Sequence, residues 1–432
     1  MSRTVSFVVL AGIASGTASA QSTSLDIDRA YAAELRADAS RHASLLQAGG
    51  SGYDVAFHVG DAWSNNRLNI NGHLATRWLG NYTDADDSDL VSKSFTHGFE
   101  QQYATLSFNG NVVNPQMKFK VELELGQADR DETFSNILRD AWAQYDFVGE
   151  VDGFYVRWGQ FKVPVLNEEN IHNGKQLAVA RGPVNEFFTP SWSEGVMLGY
   201  RAESYAVHTA VTDGIRGPIP ALPTTAGTAY SGADADFALS VRADVKFAGA
   251  WEQFDDFTSF RSSDTAIKVG AGFHFQTGSS TGGPTGGATA DADYYLWTVD
   301  AQWEGDGWNL AAGYIGHSID IGTADAETHG VYLQGGMFVS DQWEIFGRYD
   351  YLNFDSDFIS AAAGDSYSFL TLGANHYFVP QSHAVKLTGD VIFAFDDSTD
   401  VGPASVLNLG DTGLLFDTEG EVTFRLQVSV LF

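Results

Sequence analysis

Basic residues occupy the polar positions of several stretches in which apolar and polar residues alternate. In 117–125, Lys118 and Lys120 each stand between two apolar residues. Strict alternation indicates a β-strand whose two faces meet different surroundings. If the apolar face contacts lipid, the polar face lines a lumen, where rings of Lys and Arg raise the local concentration of anions. The predicted strands place nine basic residues on this face: Lys118, Lys120, Arg157, Arg242, Lys246, Lys268, Arg348, Lys386 and Arg425.

Carboxylates share the same polar face, so a second interpretation stays open. The basic side chains could neutralise acidic neighbours across adjacent strands, which would be a structural role. The predicted inward carboxylates are Glu122, Glu124, Asp244, Asp300, Glu304, Glu344, Asp350 and Asp390.

Other chemistry is poorly represented in the sequence. The chain has no cysteine, which excludes disulfides and thiol catalysis. Its histidines are scattered without the spacing of a metal site, and no nucleophile, base and acid stand out as a catalytic set. We therefore expect no enzyme activity, no catalytic residues, no metal and no cofactor.

The first 52 residues precede the alternating pattern. Residues 1–20 contain a basic start, an apolar core and an Ala18-Ser19-Ala20 end, which is typical of a cleaved secretory signal peptide. Residues 21–52 are predicted to form a short periplasmic helical segment over 24–47 that ends at Gly49-Gly50. A coiled coil and a partly ordered tail both remain possible interpretations of this segment.

Residues 53–432 predict an all-β fold, a transmembrane antiparallel β-barrel of sixteen strands. No later window has the roughly 18 apolar residues of a spanning helix, and a closed barrel is the other structure that satisfies its backbone within a membrane. A soluble β-sandwich also shows alternation, but an export signal and an even series of long strands favour the barrel. The predicted strands are 66–79, 99–111, 115–127, 136–148, 152–163, 193–202, 204–213, 235–248, 265–276, 293–304, 307–317, 328–338, 342–353, 366–378, 383–395 and 420–432.

Short and long connections alternate between these strands, as in outer-membrane barrels with both termini in the periplasm. Trp303, Trp308 and Trp343 border predicted short turns, where aromatic rings mark the membrane interface. The connection 249–264 is an exception, because it is long where a short periplasmic turn is expected. The net charge of −31 argues against nucleic acid or anionic lipid as partners. The predicted barrel implies outer-membrane lipid and small hydrophilic solutes as partners.

One block of the sequence resembles a known family. The segment Val156-Arg157-Trp158-Gly159-Gln160-Phe161-Lys162-Val163-Pro164 and the later Val184-Asn185-Glu186-Phe187-Phe188-Thr189-Pro190 are similar to the phosphate-selective porin O and P family. The C-terminal Phe432 also looks like the terminal signature of bacterial outer-membrane proteins.

The resemblance implies a homotrimer of barrels in the cell outer membrane. It also implies that the third external loop, here 164–192, folds inward and narrows the pore, although an ordinary surface loop is the alternative. Lys162, Lys175 and Arg181 would then lie at or beside the constriction. The expected function is passive diffusion of small hydrophilic solutes, with anions or inorganic phosphate preferred. The alternative is an outer-membrane anchor or adhesin without an open pore.

Overall fold

The structure, a computed structural model, describes residues 57–59, 66–83, 95–126, 137–147, 153–215, 235–278, 292–320, 325–354, 366–396, 410–415 and 420–432. The predicted signal peptide and the predicted helix over 24–47 lie outside these ranges.

The described residues contain one short strand and sixteen long ones. The short strand is β1 (Phe57–Val59). The long strands are β2 (Arg67–Tyr82), β3 (Phe95–Asn111), β4 (Met117–Glu124), β5 (Leu138–Asp146), β6 (Gly153–Lys162), β7 (Trp192–Arg201), β8 (Tyr205–Thr212), β9 (Phe237–Ala248), β10 (Ala266–Gly278), β11 (Ala292–Gly305), β12 (Trp308–Asp320), β13 (Asp325–Phe338), β14 (Trp343–Phe354), β15 (Ser366–Tyr377), β16 (Val385–Ala394) and β17 (Val422–Leu431). Each coincides with one predicted strand, and their ends differ by a few residues.

The sixteen long strands close into a barrel. Each pairs antiparallel with the next along the chain, and the last, β17, pairs with the first, β2, from Val422↔Tyr82 to Leu431↔His73. Closure leaves no unpaired edge among these strands, so their backbone polar groups are satisfied within the wall. The predicted sixteen-stranded antiparallel barrel is confirmed, and a two-sheet sandwich is excluded. The short β1 pairs with residues 68–70 of β2.

The two faces of the wall differ as the alternation predicts. In β17, Phe424 and Leu426 are 42% and 49% exposed, whereas Arg425 between them is 2% exposed. Since consecutive side chains of a strand point to opposite faces, the apolar face is the outer surface and the polar face is the interior. Trp303 and Trp343 lie on the outer surface next to the short connections 306–307 and 339–342.

Helical structure is confined to connections. The loop between β6 and β7 contains α1 (Asn167–Asn170), a 3-10 turn η1 (Asn173–Lys175) and α2 (Pro183–Phe188); further 3-10 turns are η2 (Trp251–Asp255) and η3 (Gly410–Thr412). None of the helices in the described ranges is long and apolar enough to cross a membrane.

Candidate functional site

The loop between β6 and β7, residues 163–191, fills part of the barrel interior. Val163, Val165 and Leu166 at its start are at most 1% exposed. Its second helix, α2, packs Val184, Phe187 and Phe188 into a cluster with apolar residues from the walls on the far side. These wall residues include Ile315, Tyr332, Leu352, Tyr367 and Ile392. We call this segment the inner loop.

The inner loop is held to the opposite wall by hydrogen bonds to its backbone. Arg348 Nη1 donates to the carbonyl oxygen of Ala180 at 3.0 Å, and Lys386 Nζ donates to that of Gln176 at 2.6 Å. Asn375 Nδ2 donates to the carbonyl oxygen of Leu177 at 3.0 Å. Buried backbone groups need partners of this kind, because the loop has no ladder of its own.

Arg425 contributes to the same attachment through a carboxylate. Arg425 Nε lies 2.6 Å from Asp390 Oδ1, and Asp390 Oδ2 accepts the backbone N–H of Val179 at 3.0 Å. Arg348 is also paired, with Asp350 at 3.1 Å. Of the predicted anion-binding residues, Arg348, Lys386 and Arg425 therefore position the inner loop.

A cavity of about 230 Å³ lies on the other side of the inner loop, against β4 to β10. Its lining combines six basic residues with four acidic ones. The basic residues are Lys120, Arg157, Lys162, Arg201, Arg242 and Lys268; the acidic residues are Glu122, Asp140, Asp244 and Asp255.

Two of the basic residues are bound closely to carboxylates. Lys120 Nζ lies 2.7 Å from Asp140 and 3.0 Å from Glu122. Arg242 lies 2.6 Å from Asp244 and 2.8 Å from Asp300, and it also donates to the carbonyl oxygen of Val165. Three acidic lining residues are thus engaged in ion pairs, as the neutralisation interpretation expects.

Lys162 and Lys268 have neutral partners instead. Lys162 Nζ donates to the carbonyl oxygen of Glu169 at 2.7 Å, and Lys268 Nζ donates to Asn167 Oδ1 at 2.8 Å. Among the described residues, no carboxylate lies within ion-pair distance of either ammonium group. Both amino groups therefore line the cavity without an ion-pair partner among the described residues.

Aromatic rings lie beneath several of the cavity cations. The Lys162 ammonium group is 4.6 Å from the centre of the Trp192 ring, and the Arg157 guanidinium is 4.2 Å from that of Trp142. Lys268 lies 5.2 Å from the ring of Phe254. Such contacts hold a cation in place without cancelling its charge.

The pKa of His172 is affected by the nearby basic residues. His172 belongs to the inner loop and lines the cavity. Burial lowers its pKa well below the usual range, and the charges of Lys120 and Lys162 lower it further. The imidazole is therefore neutral at pH 7.

The remaining predicted residues lie elsewhere in the interior. Lys118 pairs with Asp146 at 2.7 Å, and Arg181 donates to the carbonyl oxygens of Glu169 and Ile171 within the inner loop. Lys175 is buried in η1. Lys246 Nζ donates to the carbonyl oxygen of Gly249 at 2.7 Å, near the periplasmic end. The cavity thus gathers five of the twelve predicted residues: Lys120, Arg157, Lys162, Arg242 and Lys268.

Sequence reasoning missed Arg201, His208, Trp251 and Phe254, which also line the cavity. Arg201 lies on the inward phase of β7, at an even number of residues from the buried Met197, so the period of two could have identified it. Trp251 and Phe254 belong to a connection, where no period applies. Within the described ranges, no group of three or more His, Asp or Glu residues is placed to hold a metal ion.

A closed sixteen-stranded barrel with an apolar outer surface, a polar interior and a loop folded inside defines an outer-membrane porin. The comparisons specify which: residues 78–397 match the family of phosphate-selective porin O and P, and the chain belongs to this family. It is a passive channel of the outer membrane. The comparison with curated proteins found no match.

Solved porin structures share the fold at low sequence identity. The anion-selective porin from Comamonas acidovorans is 13% identical over 84% of this chain and 99% of that chain, with a TM-score of 0.53. OmpF of Salmonella typhi in complex with daunomycin is 13% identical over 85% and 98%, with a TM-score of 0.52. The trimer form of in-vitro folded OmpT from Vibrio cholerae is 11% identical over 84% and 99%, with a TM-score of 0.51.

Proposed function

We propose that this porin passes anions in preference to cations, with inorganic phosphate among its solutes, and that the inner loop forms the constriction. The observation that carries the proposal is the composition of the cavity, where six basic residues face four acidic ones. A surplus of cations in a confined space of low dielectric constant raises the local anion concentration.

The ion pairs of the acidic lining residues also support a preference for anions. Glu122, Asp140 and Asp244 are engaged in ion pairs, and burial raises the pKa of Asp255. The amino groups of Lys162 and Lys268 have neutral partners and no carboxylate within ion-pair distance in the described structure. The amide groups of Asn167 and Asn170 line the same space and can donate to phosphate oxygens.

The family and one structural relative agree with this proposal. The family is described as phosphate-selective, and the porin from Comamonas acidovorans is described as anion-selective. The trimer form of OmpT from Vibrio cholerae likewise supports the proposal that this chain is a homotrimer in outer-membrane lipid. Cross-linking of the refolded protein in detergent would test the trimer, since a uniform monomer would contradict it.

The reversal potential in a salt gradient tests the ion preference. We expect the wild-type channel in a planar bilayer to show an anion-directed potential that shrinks in Lys162→Gln and Lys268→Gln and shrinks further in the double variant. Arg261→Gln is the matched control, because it removes one cation from a side chain that is 45% exposed and does not line the cavity. A cation-directed wild-type potential, or equal shifts in the control, would refute the proposal.

Phosphate is tested separately by adding it to a chloride solution. If phosphate binds at Lys162 and Lys268, it should reduce the chloride current of the wild-type channel and leave that of the double variant nearly unchanged. An anion-directed reversal potential without any effect of phosphate would retain the anion preference and reject phosphate as a favoured solute.

A further inference from the structure

The periplasmic connection 249–265 differs from the other described connections at that end of the barrel. The connections 112–116, 202–204, 306–307, 339–342 and 378–384 are all shorter. Several residues of 249–265 are nearly inaccessible: Phe254 is 5% exposed, Phe257 1%, Thr258 4% and Ser259 1%. Aromatic side chains this deeply buried cannot belong to a turn that projects into the periplasm. We call this segment the inner turn.

Polar contacts connect the inner turn to opposite sides of the barrel. Trp251 Nε1 donates to the carbonyl oxygen of Ala202, between β7 and β8, at 3.0 Å. Asp256 Oδ2 lies 3.5 Å from His383 Nε2, between β15 and β16. These two connections are eight strands apart in a ring of sixteen. The side chains of the inner turn therefore reach polar groups on both sides of the periplasmic mouth.

Further hydrogen bonds attach residues 256–259 of the inner turn to the wall. Ser259 Oγ donates to the carbonyl oxygen of Gly305 at 2.6 Å, and Gln302 Nε2 donates to that of Asp256, also at 2.6 Å. Thr258 Oγ1 lies 3.1 Å from the hydroxyl oxygen of Tyr377. With its polar groups satisfied by the wall, the inner turn is part of the folded interior.

The inner turn also meets the inner loop inside the barrel. Phe257 packs in one buried cluster with Ile171, Leu177 and Ala178 of the inner loop and with two residues of the wall. The two segments enter from opposite ends and close the same side of the lumen. The path for solutes is thereby confined to the side of the cavity.

Two aromatic residues of the inner turn face that path. Trp251 and Phe254 line the cavity together with Pro164, Asn167 and Ile171 of the inner loop. The Trp251 ring lies 5.5 Å from Arg201 and 5.4 Å from Lys246, and the Phe254 ring lies 5.2 Å from Lys268. These rings thus occupy the periplasmic side of the cavity and help to position its cations.

We infer that the inner turn forms a second constriction, in series with the inner loop, whose rim is made by Trp251 and Phe254. The inner loop limits the path from the external end, and the two rings limit it from the periplasmic end. The width of this rim does not depend on which ion the pore prefers, so the second constriction can be tested independently of the anion preference.

The experiment measures single-channel conductance and the largest neutral sugar that enters proteoliposomes. We expect the double variant Trp251→Ala/Phe254→Ala to conduct about 1.5-fold more than the wild type and to admit larger sugars, because its rim is wider. It keeps Phe257, so the packing against the inner loop stays intact. The control is Trp303→Ala, which removes an indole from the outer surface, and we expect unchanged conductance.

A second variant shortens the inner turn. Replacing residues 249–266 with Asn-Gly joins Ala248 directly to Ile267, its partner in the strand ladder, through a two-residue hairpin. We expect a larger rise in conductance and in the sugar limit than in the double variant. If the shortened barrel folds and neither quantity changes, the inference is wrong. Should the shortened barrel fail to fold, unchanged conductance and sugar limit in the double alanine variant overturn it equally.

Discussion

The Asp390 carboxylate accepts the backbone N–H of Val179 at 3.0 Å, which ties the inner loop to strand β16 across the lumen. Arg425 on the neighbouring strand holds the same carboxylate at 2.6 Å. Asp390 is therefore shared between the wall and the loop. Because both side chains are fully enclosed, the pair acts as a fixed acceptor for the loop backbone.

Asp390→Ala tests this link. The substitution removes the acceptor of Val179 and leaves the Arg425 guanidinium buried without its carboxylate, so we expect the free energy of unfolding to fall by about 3–5 kcal/mol. We also expect a noisier single-channel current, because the inner loop has lost one attachment.

Asp146→Ala is the control for that change. It breaks the wall ion pair with Lys118 without contacting the inner loop, so it should destabilise the barrel and leave the current noise unchanged. Equal noise in both variants would show that the attachment by Asp390 does not restrain the loop. Urea unfolding followed by tryptophan fluorescence measures the stability of each.

The strands could be predicted because the alternation of apolar and polar residues is a local feature of the sequence. In β17, the polarity of each residue indicates which face of the strand it occupies. The alternation continues from Val422 to Leu431. The same pattern predicted all sixteen strands without any knowledge of their partners. Only the ends differ, as for β3, which begins at Phe95 whereas alternation predicts a start at residue 99.

The sequence could not show which basic residues hold the inner loop and which face the cavity, because these roles depend on contacts between distant parts of the chain. Lys386 and Lys268 both occupy inward positions of alternating strands. Lys386 meets the carbonyl oxygen of Gln176, whereas Lys268 faces the cavity. The path of the inner loop decides between these roles. The inner turn had one local signal, aromatic residues at Trp251, Phe254, Phe257 and Phe260, but the sequence does not show whether they point inward.

Lys120→Gln should weaken the anion preference. Lys120 lies between Asp140 and Glu122, so its removal leaves two carboxylates without their shared cation and changes the formal charge of this group from −1 to −2. We expect the reversal potential to move toward cations. Lys120→Gln/Asp140→Asn restores the charge of −1 and should move it back. If the reversal potential of the double variant equals that of Lys120→Gln, local charge does not control selectivity.

The anion preference should fall as the pH rises through about 8. Burial, followed by the charge of Asp411, raises the pKa of Glu186 in the inner loop to about 8. Its carboxyl group is neutral below that pH and negative above it, beside Arg181. We expect Glu186→Gln to remove this part of the pH dependence, measured as reversal potential from pH 6 to pH 9.5. Identical profiles would contradict the assignment.

The same shift affects stability. Because the pKa of Glu186 is higher in the folded barrel than its ordinary value of 4.5, folding favours the protonated form. This contribution is fully present below about pH 4.5 and is lost as the pH rises through about 8. Glu186→Gln should therefore be more stable than the wild type at pH 9 and similar to it at pH 4. A variant that is less stable at pH 9 would show that the carboxylate is favourably bound there.

Gly159→Ala should destabilise the barrel where β6 leads into the inner loop. Gly159 has a φ of 113°, which side chains disfavour, and a Cβ atom there would lie 2.3 Å from the carbonyl oxygen of Ala141. We expect a loss of about 1–3 kcal/mol in the free energy of unfolding. The control is Gly389→Ala, whose Cβ would meet only Leu426 Cδ1, at 3.5 Å. Equal unfolding midpoints for the two variants would mean that the wall relaxes around residue 159.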